Sequence, residues 1–210
     1  MADWTTISAL ATAGGTLVLA AATFVSVRSA NRAARVAERS LLAGLRPVLM
    51  PSRFQDDQQK IFFADGHVVH VPGGGAVADV TSEAVYLVMS LRNTGSGLAV
   101  LHGWFFHPRL AFAETPHPDV GQFLRLTRDI YVPPGDVGFW QGAFRDPASP
   151  EFEDAHKAIE AREGMTVDVL YGDHEGGQRT ISRFVMIPRD DGGWITNVGR
   201  HWNVDRADPR

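Results

Sequence analysis

Residues 83–107, EAVYLVMSLRNTGSGLAVLHGWFFH, decide the fold class. Every second residue from Val85 to Leu91 is a large apolar one, and the residues between them are mixed in character. Such alternation indicates a strand with one face in the core. Asn93–Gly97 has the composition of a turn, and Leu98–His107 follows as a second strand. This stretch therefore predicts β-structure.

The same pattern extends in both directions from this stretch. Asp65-Gly66 lies between two short apolar runs and predicts a two-residue hairpin with a type I′ turn. Residues 133–136 and 172–177 have the composition of further turns. Short strands with glycine and proline between them predict a mainly β fold, an antiparallel immunoglobulin-like β-sandwich over residues 46–205.

One helix interrupts the predicted strands. Ser149 is a suitable N-cap, Pro150 suits the first helical position, and Gly164 suits the stop. Apolar residues recur between them at helical spacing, so we expect this short helix to cover one end of a sheet. Strands and helices do not alternate along the chain, which argues against a parallel α/β fold.

The N-terminal segment has a different character. Ile7–Val27 contains 21 residues without a charge. A helix of that length spans about 31 Å, which matches a bilayer core of about 30 Å. Residues 1–27 are therefore predicted to be a short tail and a transmembrane helix. A buried core helix and a cleaved signal peptide are the alternatives, although a signal peptide would carry basic residues before the apolar run.

The distribution of charge predicts the orientation. No Lys or Arg precedes the span, whereas five Arg follow it within residues 1–46, which have a net charge of +3. The positive-inside rule places the N-terminus outside the cell membrane and the domain in the cytoplasm. The reversed topology stays an alternative, because the asymmetry of charge is the only feature that indicates the orientation. Residues 47–210 have a net charge of −7, which argues against nucleic-acid binding.

Residues 28–45 are predicted to form a basic amphipathic helix next to the membrane. The arginines of this region fall on one side of a helical wheel: Arg28, Arg32, Arg35, Arg39 and Arg46. Alanines and leucines fall opposite. The arginines are interpreted as lipid-facing contacts to anionic headgroups. Packing of the apolar face on a second copy, or a solvated stalk whose arginines only fix topology, are the alternatives.

Small and hydroxyl residues recur along the predicted membrane helix. Ser8, Thr12, Thr16 and Ala20 are spaced by four residues, and Gly15 adds a small-residue pair with Ala11. Such stripes let two helix backbones approach closely. They are interpreted as a surface for self-association, which would make the chain a homodimer through its membrane helix.

Four segments carry a family resemblance: RPVL, LRNTGSGLAV, YVPPGD and VLYGDHEGGQR. Together with the membrane span, they resemble a group of functionally uncharacterised single-pass membrane proteins of high-GC bacteria. The Asn-x-Gly-x-Gly turn at Asn93–Gly97 is also similar to turns of bacterial immunoglobulin-like sandwiches. The resemblance implies an immunoglobulin-like domain after the anchor. It implies no activity, because the shared motifs are strands and turns.

The sequence offers little for catalysis. The chain has no cysteine, no Gly-x-Ser-x-Gly elbow and no phosphate-binding loop, so no catalytic residue, metal ligand or cofactor is assigned. The segment 173–175 is interpreted as a solvated hairpin tip. The alternative function is a metal- or small-ligand-dependent enzyme built on the sandwich, with His102, His107 and His117 as its cluster.

Aromatic residues give the better functional indication. Trp104, Phe105 and Phe106 are adjacent on a predicted strand, so some of them must face outward. Their outward face either packs on the predicted helix or the C-terminal strand, or forms a patch for a partner. On the second interpretation, Trp104 and Phe106 are predicted to contact a protein partner. The chain is interpreted as a membrane-anchored binding or scaffold protein rather than an enzyme. The segment from Trp202 onward is expected to fray, with residues 206–210 as a tail.

Overall fold

A computed structural model describes residues 3–112 and 114–208, without the side chains of Thr6, Arg39 and Ala43. The chain divides into two compact units, Met1–Ala43 and Gly44–Arg210. The first unit is helical and the second is mainly β. The last two residues of the predicted tail lie outside the described part of the chain.

Helix α1 is one uninterrupted element, Trp4–Gly44. The sequence predicts a tail and a transmembrane helix over residues 1–27 and a separate helix over residues 28–45, whereas the backbone continues from one helix into the other. Nothing in the sequence at that boundary breaks a helix, since neither proline nor glycine occurs between Gly15 and Gly44. Helix α1 is long and apolar enough to cross a membrane, and none of its most apolar stretch is buried.

The second unit contains antiparallel strands and one short α-helix, which confirms the predicted mainly β fold. In chain order, the strands and the α-helix within the described residues are β1 (Leu49–Pro51), β2 (Gln59–Phe62), β3 (Val68–Val71), β4 (Gly75–Val80), β5 (Val85–Asn93), β6 (Ala99–His107), β7 (Leu124–Val132), β8 (Val137–Phe144), α2 (Pro150–Glu160), β9 (Met165–Gly172), β10 (Thr180–Pro188) and β11 (Trp194–Asn203).

The main sheet folds over on itself. One half holds β8, β5, β4 and β1, and the other holds β11, β10, β9, β6 and β7. Strands β4 and β11 join the halves through only two residue pairs, Ala76 with Trp194 and Gly75 with Ile195. The principal core lies between the halves and takes side chains from both. This packing is sandwich-like, and the finer immunoglobulin-like assignment stays a prediction.

Strand β5 is buried on both faces. Val85, Leu87, Met89 and Leu91 enter the principal core, as the alternation predicts. The opposite face is covered by the hairpin of β2 and β3, which forms a second apolar cluster with β5. The face that is mixed in sequence is therefore an internal surface, because a separate two-stranded layer packs over it.

The β2–β3 hairpin does not have the predicted type I′ turn. That turn needs a positive φ at both central residues, and here Gly66 has a φ of +86° whereas Asp65 does not have a positive φ. The amide of Gly66 donates to the carbonyl of Phe63, and the amide of Phe63 donates to the carbonyl of His67. The connection is therefore one residue longer, a type I turn closed by a left-handed glycine.

A β-bulge reverses the facing of strand β6. Its register with β7 moves from Leu101–Ile130 to Gly103–Arg125, so residues 126–129 leave that ladder. On its other edge the register with β9 moves from Leu101–Tyr171 to Gly103–Leu170, so His102 is an extra residue in β6. As a result, Leu101 and Trp104 both point into the core although they are an odd number of residues apart. A Cβ on Gly103 would lie 2.8 Å from the carbonyl oxygen of Leu124, which explains glycine at the bulge.

Helix α2 begins where the sequence predicts. The side chain of Ser149 accepts a hydrogen bond from the amide of Phe152, and Pro150 opens the helix. The helix buries Phe152 and Ala155 in the principal core. It ends earlier than Gly164, because Arg162 takes the left-handed conformation with a φ of 53° and closes the last turn.

The buried side chain of Asn93 joins three segments at one end of the domain. Its Nδ2 donates to the carbonyls of Gly97 and Val132, at 2.7 and 2.9 Å. Its Oδ1 accepts from the amides of Val48 and Gly95, at 3.2 and 3.0 Å. The hydrogen-bonding capacity of the amide is thus used in full, and residues 45–48 are held where the domain begins.

The C-terminal segment does not fray at Trp202. Strand β11 continues to Asn203, and Trp202 is buried against the outer face of the sheet. The following residues fold back, because Asp208 pairs with Arg200 at 3.3 Å and Asp205 pairs with Arg179 at 2.7 Å. The expectation of a frayed segment from Trp202 is therefore wrong as far as residue 208.

Candidate functional site

Three of the predicted lipid-facing arginines lie exposed on helix α1. Arg28, Arg32 and Arg35 all have exposed side chains. Arg39 belongs to the helix by its backbone, and its side chain lies outside the described part. All four arginines lie on one continuous helix, as the stripe requires. Their contact with lipid stays a prediction.

Arg46 does not belong to the arginine stripe. Helix α1 ends at Gly44, so the helical wheel does not apply to Arg46. Its Nη2 instead donates to the Oδ1 of Asn203, at 2.6 Å, within the β domain. The prediction that Arg46 continues the lipid-facing stripe is wrong, because the glycine stop comes before it.

The hydroxyl groups of the predicted self-association stripe bind their own helix. The side chains of Ser8, Thr12 and Thr16 donate to the carbonyls of residues three or four positions earlier, each at 2.9 Å. Gly15 and Ala20 present no polar side-chain group. Self-association stays a prediction, and it would depend on close backbone packing more than on hydrogen bonds donated across helices.

Trp104 does not lie on an outer face. It is 3% exposed and packs its ring 5.2 Å from Trp140 and 5.1 Å from Phe144, measured between centroids. The prediction of Trp104 as a surface contact for a partner is wrong, because the bulge in β6 turns it inward. Phe106 is half-buried, and its ring centroid lies 5.5 Å from that of Phe144. Trp104 and Phe106 therefore do not form an exposed aromatic patch.

A buried ionic cluster lies on the outer face of strands β9 and β10. The guanidinium of Arg183 donates two hydrogen bonds to the carboxylate of Asp168, at 2.7 and 2.6 Å. The Nε2 of His107 lies 3.0 Å from Asp168 Oδ2. Both Arg183 and Asp168 are fully buried, whereas 21% of the His107 side chain is exposed.

This cluster also binds the segment between β6 and β7 that contains Phe112 and Thr115 and covers the sheet. We call it the covering segment. The Nη1 of Arg183 donates to the carbonyls of Phe112 and Thr115, at 3.0 and 2.8 Å. The guanidinium also lies 4.8 Å from the ring centre of Trp202. Arg183 therefore joins the strands, the covering segment and the C-terminal strand in one contact network.

The pKa of Asp168 follows from this setting. Burial raises the pKa of the carboxyl group, but hydrogen bonds from Arg183 and His107 outweigh that effect and leave the pKa below its ordinary value. Asp168 therefore carries its charge at neutral pH. A charged carboxylate that orients a histidine can serve acid–base chemistry. Here, however, both oxygens of the carboxylate accept hydrogen bonds from Arg183, and the group is fully buried.

Sequence reasoning missed the Asp168–Arg183 pair. The available signal was a single charged residue inside each of two otherwise apolar strands, VDVLY and ISRFVMI. Charged residues in such positions are rarely buried unless they are paired. Their partnership depends on the register that places Arg183 opposite Asp168, which the sequence alone does not specify.

A second polar network lies inside the domain. The Oγ of Ser182 lies 2.5 Å from His201 Nδ1 and 2.9 Å from the hydroxyl of Tyr171. That hydroxyl also accepts from the amide of Leu49 at 3.2 Å. Burial raises the pKa of Tyr171. Ser182 and Tyr171 are both fully buried, whereas His201 is half-buried, so the Ser182 hydroxyl is not exposed at the surface.

The three histidines of the alternative enzyme function have separate surroundings. His107 contacts Asp168, and the Nδ1 of His117 lies 2.7 Å from the carbonyl of Pro118. Burial lowers the pKa of His102, and the nearby Arg179 lowers it further. Within residues 3–112 and 114–208, no three His, Cys, Asp or Glu residues are grouped to hold a metal ion.

The predicted hairpin tip at 173–175 is only partly solvated. Asp173 is 1% exposed. Its Oδ2 accepts from the side chain of Gln178 at 2.9 Å, and its Oδ1 accepts from the amide of Gly177 at 3.1 Å. His174 and Glu175 are exposed beside it. Asp173 thus organises the turn, which the turn composition alone did not indicate.

A groove opens where the sheet fails to close. Strand β7 pairs only with β6 and β8 pairs only with β5, so no ladder joins β7 to β8 within the described chain. Between them lies a cavity of about 210 Å³. Its apolar side is formed by Phe63, Trp104 and Leu124. We call this feature the β7–β8 groove.

Arginines surround the β7–β8 groove. Arg125 and Arg145 line it, and Arg128 reaches across from the bulged residues to Gln141 Oε1 at 3.2 Å. Arg145 pairs with Asp65 at 2.8 Å. Arg125 is exposed, and no ion pair to it occurs among the described residues. The groove is therefore locally basic in a domain whose net charge is negative.

No protein-family model, no curated protein and no solved structure matches this chain.

Proposed function

We propose that this chain is a single-pass membrane protein that presents its β domain in the cytoplasm and binds a protein partner there. Its N-terminus would lie outside the membrane, and the domain would bring its partner to the inner surface. In this proposal the domain is immunoglobulin-like, and the chain belongs with the anchored proteins of high-GC bacteria that its strand and turn motifs resemble. The observation that carries the proposal is helix α1.

Helix α1 supports the proposal through its length and its charges. Its apolar segment, Ile7–Val27, contains no charged residue. The apolar surface that would cross the membrane is not buried. A soluble core helix would bury that surface. Every Lys or Arg of the first 46 residues follows the span, and the side that carries such residues faces the cytoplasm in most membrane proteins.

Lipid contact by the arginines is part of the proposal. Because α1 continues without interruption beyond Val27, successive arginines lie at increasing distances from the end of the span. Arg32 lies about 6 Å along the axis from Arg28, and both fall within a headgroup layer about 5–8 Å thick. Arg35 and Arg39 would attract anionic lipids through a longer-range field.

Cysteine labelling tests the topology directly, since the chain has no cysteine of its own. Three single substitutions are made in the full-length protein in bacterial cells: Thr5→Cys, Val18→Cys and His174→Cys. A membrane-impermeant maleimide should label Thr5→Cys in intact cells and His174→Cys only after permeabilisation. Val18→Cys, in the middle of the span, is the control that should stay unlabelled. Labelling of His174→Cys in intact cells would overturn the cytoplasmic assignment.

Recruitment needs its own measurement. Crosslinking of intact membranes that carry the tagged full-length protein should capture a reproducible partner through the β domain. Removal of α1 should then release that partner from the membrane fraction. A partner that stays in the membrane without α1 would show that the chain does not recruit it.

A further inference from the structure

We propose that the β7–β8 groove binds an extended peptide with acidic side chains. This inference rests on the proposed function and names the surface and the chemistry of the partner. The peptide would lie between strands β7 and β8 and add backbone hydrogen bonds to an open strand edge. Its carboxylates would meet Arg125 and Arg128, and one apolar side chain would enter the cavity.

The strand edges supply the first argument. An edge without a ladder partner presents unpaired amide and carbonyl groups, which an extended peptide can satisfy by adding a strand. Strands β7 and β8 each pair along one edge only in the described chain. No ladder joins β7 to β8 in the described chain, so the main sheet is open here.

Charge complementarity supplies the second argument and selects an acidic peptide. Arg125 is exposed at the groove. The guanidinium of Arg128 lies 5.2 Å from the ring centre of Phe139 and donates to neutral Gln141, so its charge is not neutralised by that contact. Arg145 is already paired with Asp65. Two positive charges thus remain for an incoming carboxylate, and arginine binds carboxylates in a fixed geometry.

The floor of the groove supplies the third argument. The side chains of Trp104 and Phe63 line the cavity from the core, and Leu124, 46% exposed, lies at its mouth. A cavity of about 210 Å³ is smaller than the sites of about 300–1,000 Å³ that hold drug-sized ligands. It suits a single apolar side chain, as strand addition uses for specificity.

The test uses full-length protein in nanodiscs of neutral phosphatidylcholine and a fluorescein-labelled peptide of alternating valine and glutamate. Alternation places all the carboxylates on one face of the extended peptide. Fluorescence anisotropy should report saturable binding of this peptide and none of the matching valine–lysine peptide. Arg125→Glu should weaken binding by about tenfold or more, the effect of losing a charged hydrogen bond.

Two further variants keep the test decisive. Arg109→Glu makes the same charge change at an exposed site outside the groove, and its affinity should match that of the wild type. Thr127→Trp places a bulky group in the groove without changing charge and should also weaken binding. Unchanged thermal unfolding of the variants establishes that they fold. Equal binding by wild type and Arg125→Glu would overturn the proposal.

Other anions serve as competing outcomes. Inorganic phosphate and phosphatidylglycerol vesicles are added as competitors of the labelled peptide. If either displaces it fully at low ionic strength, the groove is a general anion site and the peptide proposal is wrong. The proposed function fails separately: external labelling of His174→Cys would overturn the cytoplasmic topology whatever the peptide affinity, and absence of peptide binding leaves that labelling pattern unchanged.

Discussion

The guanidinium of Arg183 and the carboxylate of Asp168 face each other across strands β9 and β10 and are both fully buried. Burial of two charges costs free energy, which their attraction and their further hydrogen bonds offset. Here the further bonds reach His107 and the carbonyls of residues 112 and 115. This pair therefore fixes a covering segment onto the sheet as well as joining two strands.

Arg183→Met is expected to reduce the free energy of unfolding by about 3–5 kcal/mol, because it leaves Asp168 buried without its cation. Urea unfolding followed by tryptophan fluorescence measures the change. The double variant Asp168→Leu/Arg183→Met removes both charges and should be more stable than Arg183→Met alone. A loss below about 1 kcal/mol in the single variant would contradict the assigned role of the pair.

Acid should weaken the domain through Asp168. The pKa of Asp168 is lowered from 3.8 in the folded protein. Its contribution is therefore fully present above that value and is lost as the pH falls through the lower, folded pKa. The urea midpoint should drop more between about pH 5 and about pH 3 in the wild type than in Asp168→Leu/Arg183→Met. Equal drops would show that other carboxyl groups dominate.

Asn93→Ala should lower the free energy of unfolding by about 2–4 kcal/mol, because the amide satisfies four backbone groups that would lose their partner. Asn197→Ala is the matched control, since Asn197 is exposed on β11 and should change stability little. Chemical denaturation of both variants makes the comparison. Similar stabilities for the two would refute the role assigned to Asn93.

Gly97→Ala should destabilise the start of the domain by about 1–3 kcal/mol, the usual cost of overpacking. A Cβ at this position would overlap the carbonyl group of Leu45, so the backbone has to move. Gly177→Ala is the control, because no atom lies within 4 Å of its added Cβ. Hydrogen exchange of the amides in residues 45–49 should accelerate in Gly97→Ala only, and equal exchange in both variants would contradict the assigned contact.

Replacement of Arg28, Arg32, Arg35 and Arg39 by glutamine should produce a population of inverted molecules, since these arginines set the orientation. The population is measured by labelling His174→Cys in intact cells. Four exposed arginines of the domain provide the control set: Arg53, Arg109, Arg189 and Arg206. Their replacement should leave the orientation unchanged. A single orientation in both sets would rule out the arginine stripe as the topology signal.

The apolar alternation and the turn residues predict the strands well. Val85, Leu87, Met89 and Leu91 lie in the core as their spacing requires, and Ser149 caps α2. These features are local, since each depends on neighbouring residues only. The position of the turn at Asp65-Gly66 is predicted correctly, but its type is not. The same dipeptide also fits the longer connection with a left-handed glycine.

The features that sequence reasoning missed depend on contacts between distant segments. Trp104 faces inward because of the bulge in β6. Gly103 is a local sign of a bulge, but the extra residue becomes evident only from the pairing with a distant strand. Asp168 meets Arg183 only through strand register. The β7–β8 groove exists because two strands next to each other in sequence fail to pair, which runs against the usual expectation for neighbouring strands.

The four hydrogen bonds of Asn93 also have a mechanical consequence. Any tension on the chain before the domain reaches it through residues 45–48, whose backbone Asn93 and the loop 93–97 hold. Strand β1 then pairs with β5, which is buried on both faces, so the load passes to a strand at the centre of the domain. Under a pull, the domain should therefore yield in one cooperative rupture and not peel strand by strand from its tethered end.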